Sequence, residues 1–320
     1  MIESVLGPLP ADELGPCDFH DHLFIAGGLP LALEPGFRLD DVDAAIREVT
    51  EFAEAGGRAI VDCMPIGVGR DIDGLVAVAQ ATGVTIIAAT GFHKDRYYAA
   101  DHWVRTFDVD QIAELLVAEA REGIDVYGYS APTITRRDAR AGIIKVGSSA
   151  NRLTSLEEKL FAAVGAAAVT TGLPVITHTD FGTCAPEQLE LLGKEGLSAQ
   201  RVVLSHMDRN PDPILHRDIA AMGATLSFDW LARIDRRSDA VVADLVVAAA
   251  EGGYLDRVVL GQDLARRTYW RAFGGAPGLR YLFASFVPRL LAAGVTDAHI
   301  TQLLVDNPRR QLDITAGASQ

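Results

Sequence analysis

The chain of 320 residues is 49% hydrophobic and 22% charged, which allows a large buried core and argues against disorder. Its formal net charge of −14 disfavours binding to nucleic acid or to an anionic membrane surface, although a few local cations can still receive an anionic small molecule. Three scattered cysteines give no disulfide framework, and the sequence opens without a basic segment followed by an apolar run, so we expect a cytoplasmic protein.

Eight short β-rich runs alternate along the chain with amphipathic segments that favour helices. Continuous apolar strands that alternate with helices are typical of parallel strands buried on both faces. Eight such units predict an α/β fold, a (β/α)8 TIM barrel in a single domain over residues 1–320, with an open doubly wound sheet as the alternative. The predicted strands are 17–25, 57–65, 84–92, 141–149, 173–180, 201–208, 223–230 and 256–263.

The first strand, within "DFHDHLFIAG", carries two histidines one residue apart. His20 and His22 alternate with Asp21, so both imidazoles point to the same side of an extended chain. Two imidazoles that face the same way are either an ordinary polar strand end or half of a metal site.

Further polar residues fall at the ends of later strands. Lys145 lies inside the apolar fourth run, while His178, His206 and Asp263 close the fifth, sixth and eighth runs. Each alone has an ordinary explanation, such as a rim lysine or a helix-capping aspartate. Together they favour one site, because the carboxyl ends of barrel strands converge on a single mouth where active sites are built.

The residue types at these strand ends indicate a pair of metal ions. Imidazole and carboxylate are usual ligands of divalent ions, and four histidines with one aspartate exceed the three protein ligands of a typical open zinc site. They suit two metals about 3.5–4 Å apart, which require an anionic bridge. A neutral Lys145 can supply the bridge by reacting with CO2 to form a carbamate. The alternative, a Schiff-base lysine, does not explain the four histidines.

The motifs "HDHL", "IIKVGSS", "ITHT", "LSHMD", "GQD" and "NPRRQL" occur in this order over nearly the whole chain. As a set they resemble the phosphotriesterase family of the amidohydrolase superfamily. The resemblance implies a (β/α)8 barrel with two divalent ions. Zinc is the expected metal, and manganese, cobalt or iron also tolerate these ligand types. The implied ligands are His20, His22 and Asp263 for a buried ion, and His178 and His206 for an exposed ion, with carboxylated Lys145 and a hydroxide bridging the two.

The same resemblance implies a mechanism in which the bridging hydroxide attacks a carbonyl carbon or phosphorus and Asp263 takes its proton. Asp208, two residues after His206, is either a relay for that proton or an ordinary loop residue. Members that hydrolyse organophosphate triesters well have a histidine after the aspartate of the seventh strand, where this chain has Trp230. Lactonase-like relatives tend to have arginine in this region, and Arg233 is close but not aligned. Efficient triester hydrolysis is therefore not expected.

Two loops, 90–103 and 263–270, are rich in cationic and aromatic residues and predict the substrate-binding rim. In an acidic chain such a rim indicates an anionic or lactone substrate, unless the arginines only pair with surface acids. The loops resemble those of family members that open sugar lactones, some of them phosphorylated. The predicted substrate-binding residues are Lys94, Arg96, Tyr97, Tyr98, Arg266, Arg267 and Tyr269.

The leading hypothesis is therefore a binuclear metal-dependent lactonase that acts on a sugar or phosphosugar lactone. Phosphotriesterase, carboxylesterase and amidase activities at the same metals remain alternatives within the hydrolases. Outside that class, a Lys145 Schiff-base lyase and a barrel that only binds a ligand stay open. The expected partners are a small-molecule substrate and, as in many members of the family, a second copy of the chain.

Overall fold

The computed structural model of the chain describes residues 1–233 and 236–317. In this part of the chain an antiparallel hairpin precedes one sheet of eight parallel strands, which lie side by side in sequence order. The hairpin strands are β1 (Ile2–Ser4) and β2 (Gly7–Leu9). The sheet consists of β3 (Cys17–Asp21), β4 (Ala59–Asp62), β5 (Thr85–Gly91), β6 (Ala141–Ser148), β7 (Val175–Thr179), β8 (Val202–Ser205), β9 (Thr225–Phe228) and β10 (Val258–Leu260).

Helices follow the strands on the outside of the sheet. Several begin at a side chain that accepts a backbone N–H of the first turn, such as Asp41, Asp71 and Thr154. No helix in the described ranges is long and apolar enough to cross a membrane. The helices are α1 (Gly28–Leu33), α2 (Val42–Glu54), α3 (Ile72–Thr82), α4 (Val109–Arg121), α5 (Ser155–Thr171), α6 (Ala185–Lys194), α7 (Pro213–Ala221), α8 (Ala240–Glu251), α9 (Val287–Ala292), α10 (Asp297–Thr301) and α11 (Asn307–Leu312).

The sheet closes on itself between β10 and β3. The backbone N–H groups of Gln262 and Asp263 donate to the carbonyl of His20 at 3.0 and 2.9 Å. The Gln262 side chain donates to Asp18 Oδ2 at 2.8 Å. Gly261 permits this approach, because a Cβ there would lie 2.8 Å from the backbone nitrogen of His20. The predicted (β/α)8 TIM barrel is confirmed.

Apolar side chains fill the inside of the barrel. All eight residues of β6 are buried, as expected for a parallel strand covered on both faces. Phe19, Val61, Ile143 and Val203 belong to a fully buried cluster that also contains Ile2 of the hairpin. The barrel therefore has a packed interior, and the polar strand ends remain for a site at its mouth.

A buried ion pair joins the loop after β4 to α4. Arg70 donates to both carboxylate oxygens of Glu119, at 2.8 and 2.7 Å, and also to the carbonyl of Ala89. Glu119 further accepts from the Thr90 hydroxyl at 2.6 Å and from the backbone N–H of Asp125 at 3.2 Å. Both charged side chains are almost fully buried, so each depends on the other for its compensation.

Replacing Glu119 with Gln is expected to destabilise the fold by about 3–4 kcal/mol, because it leaves the buried Arg70 charge without its counter-ion. Urea denaturation of the purified variant measures this loss. Glu114→Gln, at an exposed position of the same helix, is the matched control and should change the free energy of unfolding by less than about 0.5 kcal/mol. Equal stability of the two variants would contradict the role given to the pair.

Candidate metal centre

A cavity of about 590 Å³ opens at the mouth of the barrel, where the strands end. Its wall brings together residues from five different strand ends, which lie far apart in the sequence. All six residues predicted as metal ligands line this cavity: His20, His22, Lys145, His178, His206 and Asp263.

The first group of candidate ligands consists of His20, His22 and Asp263. Asp263 Oδ1 lies 3.3 Å from His22 Nε2 and 3.9 Å from His20 Nε2. One ligand atom from each residue falls within 4.8 Å of the others, close enough for all three to hold one ion. Asp263 has a left-handed φ of 52°, an uncommon conformation for a non-glycine residue. Such backbone strain clusters at functional sites.

The second group joins the ends of β7 and β8. His178 Nδ1 and His206 Nε2 are 2.9 Å apart, so the two rings direct one nitrogen each at the same point. His206 also has a left-handed φ, 63°, directly after β8. Two converging imidazole nitrogens are an arrangement that a divalent cation would satisfy.

Asp229, which the sequence did not predict as a site residue, connects the two groups. Its carboxylate lies 2.6 Å from His206 Nδ1 and 3.1 Å from His20 Nδ1, and it accepts the backbone N–H of His206 at 3.0 Å. Asp229 thus engages the outer nitrogen of each ring and leaves Nε2 available on the cavity side. A carboxylate behind a ligating histidine fixes its tautomer and orientation. The signal in the sequence was the position of Asp229 near the end of the predicted seventh strand, 223–230, beside the position that the family resemblance singles out.

The electrostatics of the mouth favour the neutral form of His20, His93 and His178 and the ionised form of Asp263. Burial, with help from Lys145, lowers the pKa of His20 to about 3. Burial likewise holds the pKa of His178 and that of His93 well below the ordinary value. Burial tends to raise the pKa of Asp263, but the neighbouring histidines lower it more, and the net shift is downward. Neutral imidazole and ionised carboxylate are the forms that bind metal ions.

Two buried nitrogen atoms at the mouth lack a protein partner. Lys145 is 1% exposed, and within the described residues neither its Nζ nor His22 Nδ1 has a hydrogen-bond partner. A buried ammonium beside imidazoles is unfavourable without compensation, whereas a carbamate on Lys145 would offer anionic oxygens. The donor set and the unpaired Lys145 Nζ therefore fit a pair of divalent ions.

The structure places four of the seven predicted substrate-binding residues on the cavity wall: Lys94, Tyr97, Arg266 and Tyr269. Among the described residues, the wall does not include the other three. Tyr98 is 2% exposed and its hydroxyl donates to the carbonyl of Ile66. Arg267 stacks on Phe273, with 3.8 Å between its Cζ and the ring centroid. Arg96 stacks on the Tyr97 ring.

Asp208 was predicted either to relay a proton or to be an ordinary loop residue, and its surroundings match the loop residue. It is fully buried and lies outside the described cavity wall. Its oxygens accept the backbone N–H groups of Asp229 and Trp230 at 3.2 and 3.3 Å, and Arg237 Nη2 at 2.6 Å. These donors occupy the carboxylate and hold the loop after β9, which favours the loop role, and the relay role stays a prediction.

Several wall residues were not predicted as site residues. Most of them follow a predicted strand by a few residues, so their position near the mouth could have been inferred, although the direction of each side chain could not. These residues are His93, Asp180, Arg209, Trp230, Arg233 and Arg236.

Comparison with known proteins gives the same assignment over most of the chain. The model of the phosphotriesterase family matches residues 1–312. A phospho-furanose lactonase from Mycoplasmopsis agalactiae is 35% identical over 320 residues, with 97% of this chain and 91% of the relative covered.

Two solved structures share the fold closely. An amidohydrolase from Mycoplasma synoviae superposes with a TM-score of 0.94 at 34% identity, covering 97% of this chain and 91% of its own. A lactonase from Listeria monocytogenes superposes with a TM-score of 0.90 at 28% identity, covering 98% and 99%. As the strand-end motifs predicted, the chain belongs to the phosphotriesterase family and is a hydrolase.

Proposed function

We propose that this protein is a binuclear metal-dependent lactonase that hydrolyses a furanose lactone carrying a phosphate group. The observation that carries the proposal is the convergence of four histidines, Lys145 and Asp263 on one cavity whose wall also bears cationic side chains. The relative named phospho-furanose lactonase, which aligns over 97% of this chain, supports the choice of substrate. A positive cavity in a chain of net charge −14 suits an anionic substrate.

The residues that would hold the metals divide into two sets joined by Lys145. Two divalent cations held together lower the pKa of a water molecule and polarise a carbonyl oxygen. We assign the ligands as the sequence resemblance implied: His20, His22 and Asp263 for one ion, His178 and His206 for the other, and the carbamate of Lys145 for both.

The side chains at the mouth would then perform the remaining steps. Asp263, whose Oδ1 is within 3.3 Å of His22 Nε2, accepts the proton that the attacking water loses. Asp229 holds the rings of His20 and His206 in position throughout. Water adds to the lactone carbonyl, the ring C–O bond breaks, and the products are a carboxylate, a hydroxyl group and one released proton.

The substrate would lie against the cationic and aromatic side of the cavity. Lys94 and Tyr97 come from the loop after β5, and Arg266 and Tyr269 from the loop after β10. The Tyr269 ring packs under the Arg233 guanidinium, with 4.3 Å between Cζ and the ring centroid. This wall supplies positive potential and hydrogen-bond donors to a phosphorylated sugar.

The alternatives at the same site are less well supported. Trp230 occupies the position at which family members that hydrolyse triesters efficiently have a histidine, and its side chain provides no proton-transfer group. A Schiff-base lyase would leave the four converging histidines without a role. Carboxylesterase or amidase activity uses the same machinery and is separated from lactonase activity only by assay.

We further propose zinc as the bound metal, because tetrahedral and five-coordinate zinc accepts imidazole and carboxylate together. The three free cysteines, Cys17, Cys63 and Cys184, accord with a reducing, cytoplasmic location. We retain a homodimer and a single domain over residues 1–320 as parts of the proposal.

The direct test is a pH-indicator assay of the zinc-loaded protein on a matched panel. We expect turnover of a furanose lactone phosphate, weaker turnover of the same lactone without phosphate, and loss of both after chelation. Metal analysis should find about two ions per chain. Turnover of paraoxon-like triesters alone, or lactone hydrolysis that survives complete metal removal, would overturn the assignment.

Lys145→Ala is expected to lower both metal content and kcat, the latter by about a hundredfold or more, because the shared ligand is lost. A short carboxylic acid such as propionate should restore part of both by occupying the vacated space. Metal analysis and lactonase kinetics measure the effect. Lys194→Ala, at an exposed position of α6, is the control and should behave as the unmodified protein. Unchanged metal content in Lys145→Ala would exclude the carbamate.

Asp229→Asn should weaken metal binding by about 10–100-fold, because an amide cannot support both imidazoles as the carboxylate does. Competition with a chromophoric chelator measures the change. Asp218→Asn, on the exposed face of α7, is the matched control. If metal affinity is the same in both variants, Asp229 does not orient the ligands.

A further inference from the structure

The guanidinium of Arg209, on the cavity wall, is held by aromatic rings rather than by hydrogen bonds. Its Cζ lies 4.1 Å from the ring centroid of Phe181 and 5.2 Å from that of Trp230. The partner oxygen in its ion pair, Asp180 Oδ1, is 3.8 Å away, beyond hydrogen-bond distance. Within residues 1–233 and 236–317 the guanidinium donates no hydrogen bond, so its N–H groups remain available to a ligand.

Two other arginines on the wall are already committed to protein partners. Arg233 Nη2 donates to the carbonyl of Asp263 at 2.5 Å. Arg266 Nη2 donates to Glu34 at 2.5 Å. The Arg266 charge is thus already paired with a carboxylate at hydrogen-bond distance, and Arg233 is tied to backbone carbonyls, whereas Arg209 has neither kind of contact within the described residues.

The charge around Arg209 favours an anion. Asp180 Oδ2 accepts a hydrogen bond from Lys94 Nζ at 2.7 Å and also faces Arg209 through Oδ1. Two cations therefore share one carboxylate, and the cluster keeps an excess of positive charge. Arg209 is three residues after His206 in a tight turn, so this excess lies beside the candidate metal centre.

The two rings beside Arg209 belong to Phe181 and Trp230, and neither is an ordinary core side chain. Phe181 is 56% exposed and has a left-handed φ of 58°, an uncommon combination for a large apolar residue. The Trp230 ring also receives the Arg237 guanidinium, at 5.0 Å, and Arg237 is in turn bonded to the buried Asp208. The two rings lie against the Arg209 guanidinium at the mouth, at distances typical of cation–π contacts.

We propose that Arg209 is the residue that receives the phosphate group of the substrate, with Phe181 and Trp230 holding its guanidinium in place. This inference rests on the proposed lactonase function and assigns the preference for a phosphorylated over a neutral lactone to one side chain. The planar fork of arginine matches two phosphate oxygens, and stacking on rings reduces the freedom that binding would otherwise remove.

The kinetic test compares Arg209→Met with the unmodified holoenzyme on a furanose lactone phosphate and on its dephosphorylated form. We expect KM for the phosphorylated lactone to rise by about ten- to a hundredfold with kcat nearly unchanged, and no change for the neutral lactone. Arg209→Lys should recover only part of the loss. Phe181→Leu, which removes the exposed ring, should raise the same KM by a smaller factor.

An equal loss for both lactones would assign Arg209 to the reacting end of the substrate and would overturn the inference, as would no loss for either. Arg217→Met, on the exposed surface of α7, controls for the removal of one positive charge. Thermal melting of each variant establishes that the fold is intact before kinetics are compared.

A binding experiment distinguishes failure of this inference from failure of the proposed function. Calorimetric titration of the zinc-loaded protein with ribose 5-phosphate, and with ribose as the neutral probe, requires no turnover. If the unmodified protein opens no lactone but binds ribose 5-phosphate through Arg209, the proposed function fails and the phosphate site stands. If lactones are opened and Arg209→Met binds ribose 5-phosphate unchanged, the function stands and this inference is overturned.

Discussion

The rest of the mouth depends on the buried carboxylate of Asp229. It engages an imidazole from the first barrel strand, His20, and one from the sixth, His206, and it accepts the backbone N–H of His206 as well. Burial alone would raise the pKa of Asp229, but the two histidines lower it by more than burial raises it. The carboxylate therefore stays ionised. One ionised group thereby fixes the orientation of candidate ligands in both halves of the site. A buried charge is tolerated here because His20, His206 and the backbone N–H of His206 provide hydrogen-bond partners for its oxygens.

Closure of the barrel and construction of the site use the same few residues. The carbonyl of His20 accepts the backbone N–H of Asp263, so the contact that joins the last strand to the first also brings two candidate ligands together. Gly261 makes the approach possible because it has no Cβ. The same hydrogen bonds therefore hold both the closed barrel and this part of the candidate metal centre.

The sequence was most informative where periodicity and topology determine position. Alternation of apolar runs with amphipathic segments identified the barrel, and the rule that parallel strands end at one mouth brought His20, His178 and Asp263 together before any coordinates. It was least informative for loop side chains. Tyr98 and Lys94 belong to the same loop, and both were predicted to bind substrate. Tyr98 is nevertheless buried in the core, whereas Lys94 lines the cavity. Their directions follow from turn geometry and packing, which no residue pattern in the chain encodes.

The position of Trp230 shows how one substitution can redirect the chemistry of a shared scaffold. A histidine at this place would add a titratable group beside the metals, whereas tryptophan adds a large ring that packs with Arg209 and Arg237. Opening a lactone requires little help for the departing alkoxide, which stays tethered to the product, so a proton-transfer group here is dispensable. If the substrate is a phosphorylated sugar, as we propose, its binding would require a well-positioned cation, and the Trp230 ring lies against the guanidinium of Arg209. On this proposal the barrel and its candidate ligands are common to both activities, and the residues after β9 are where the two activities would differ.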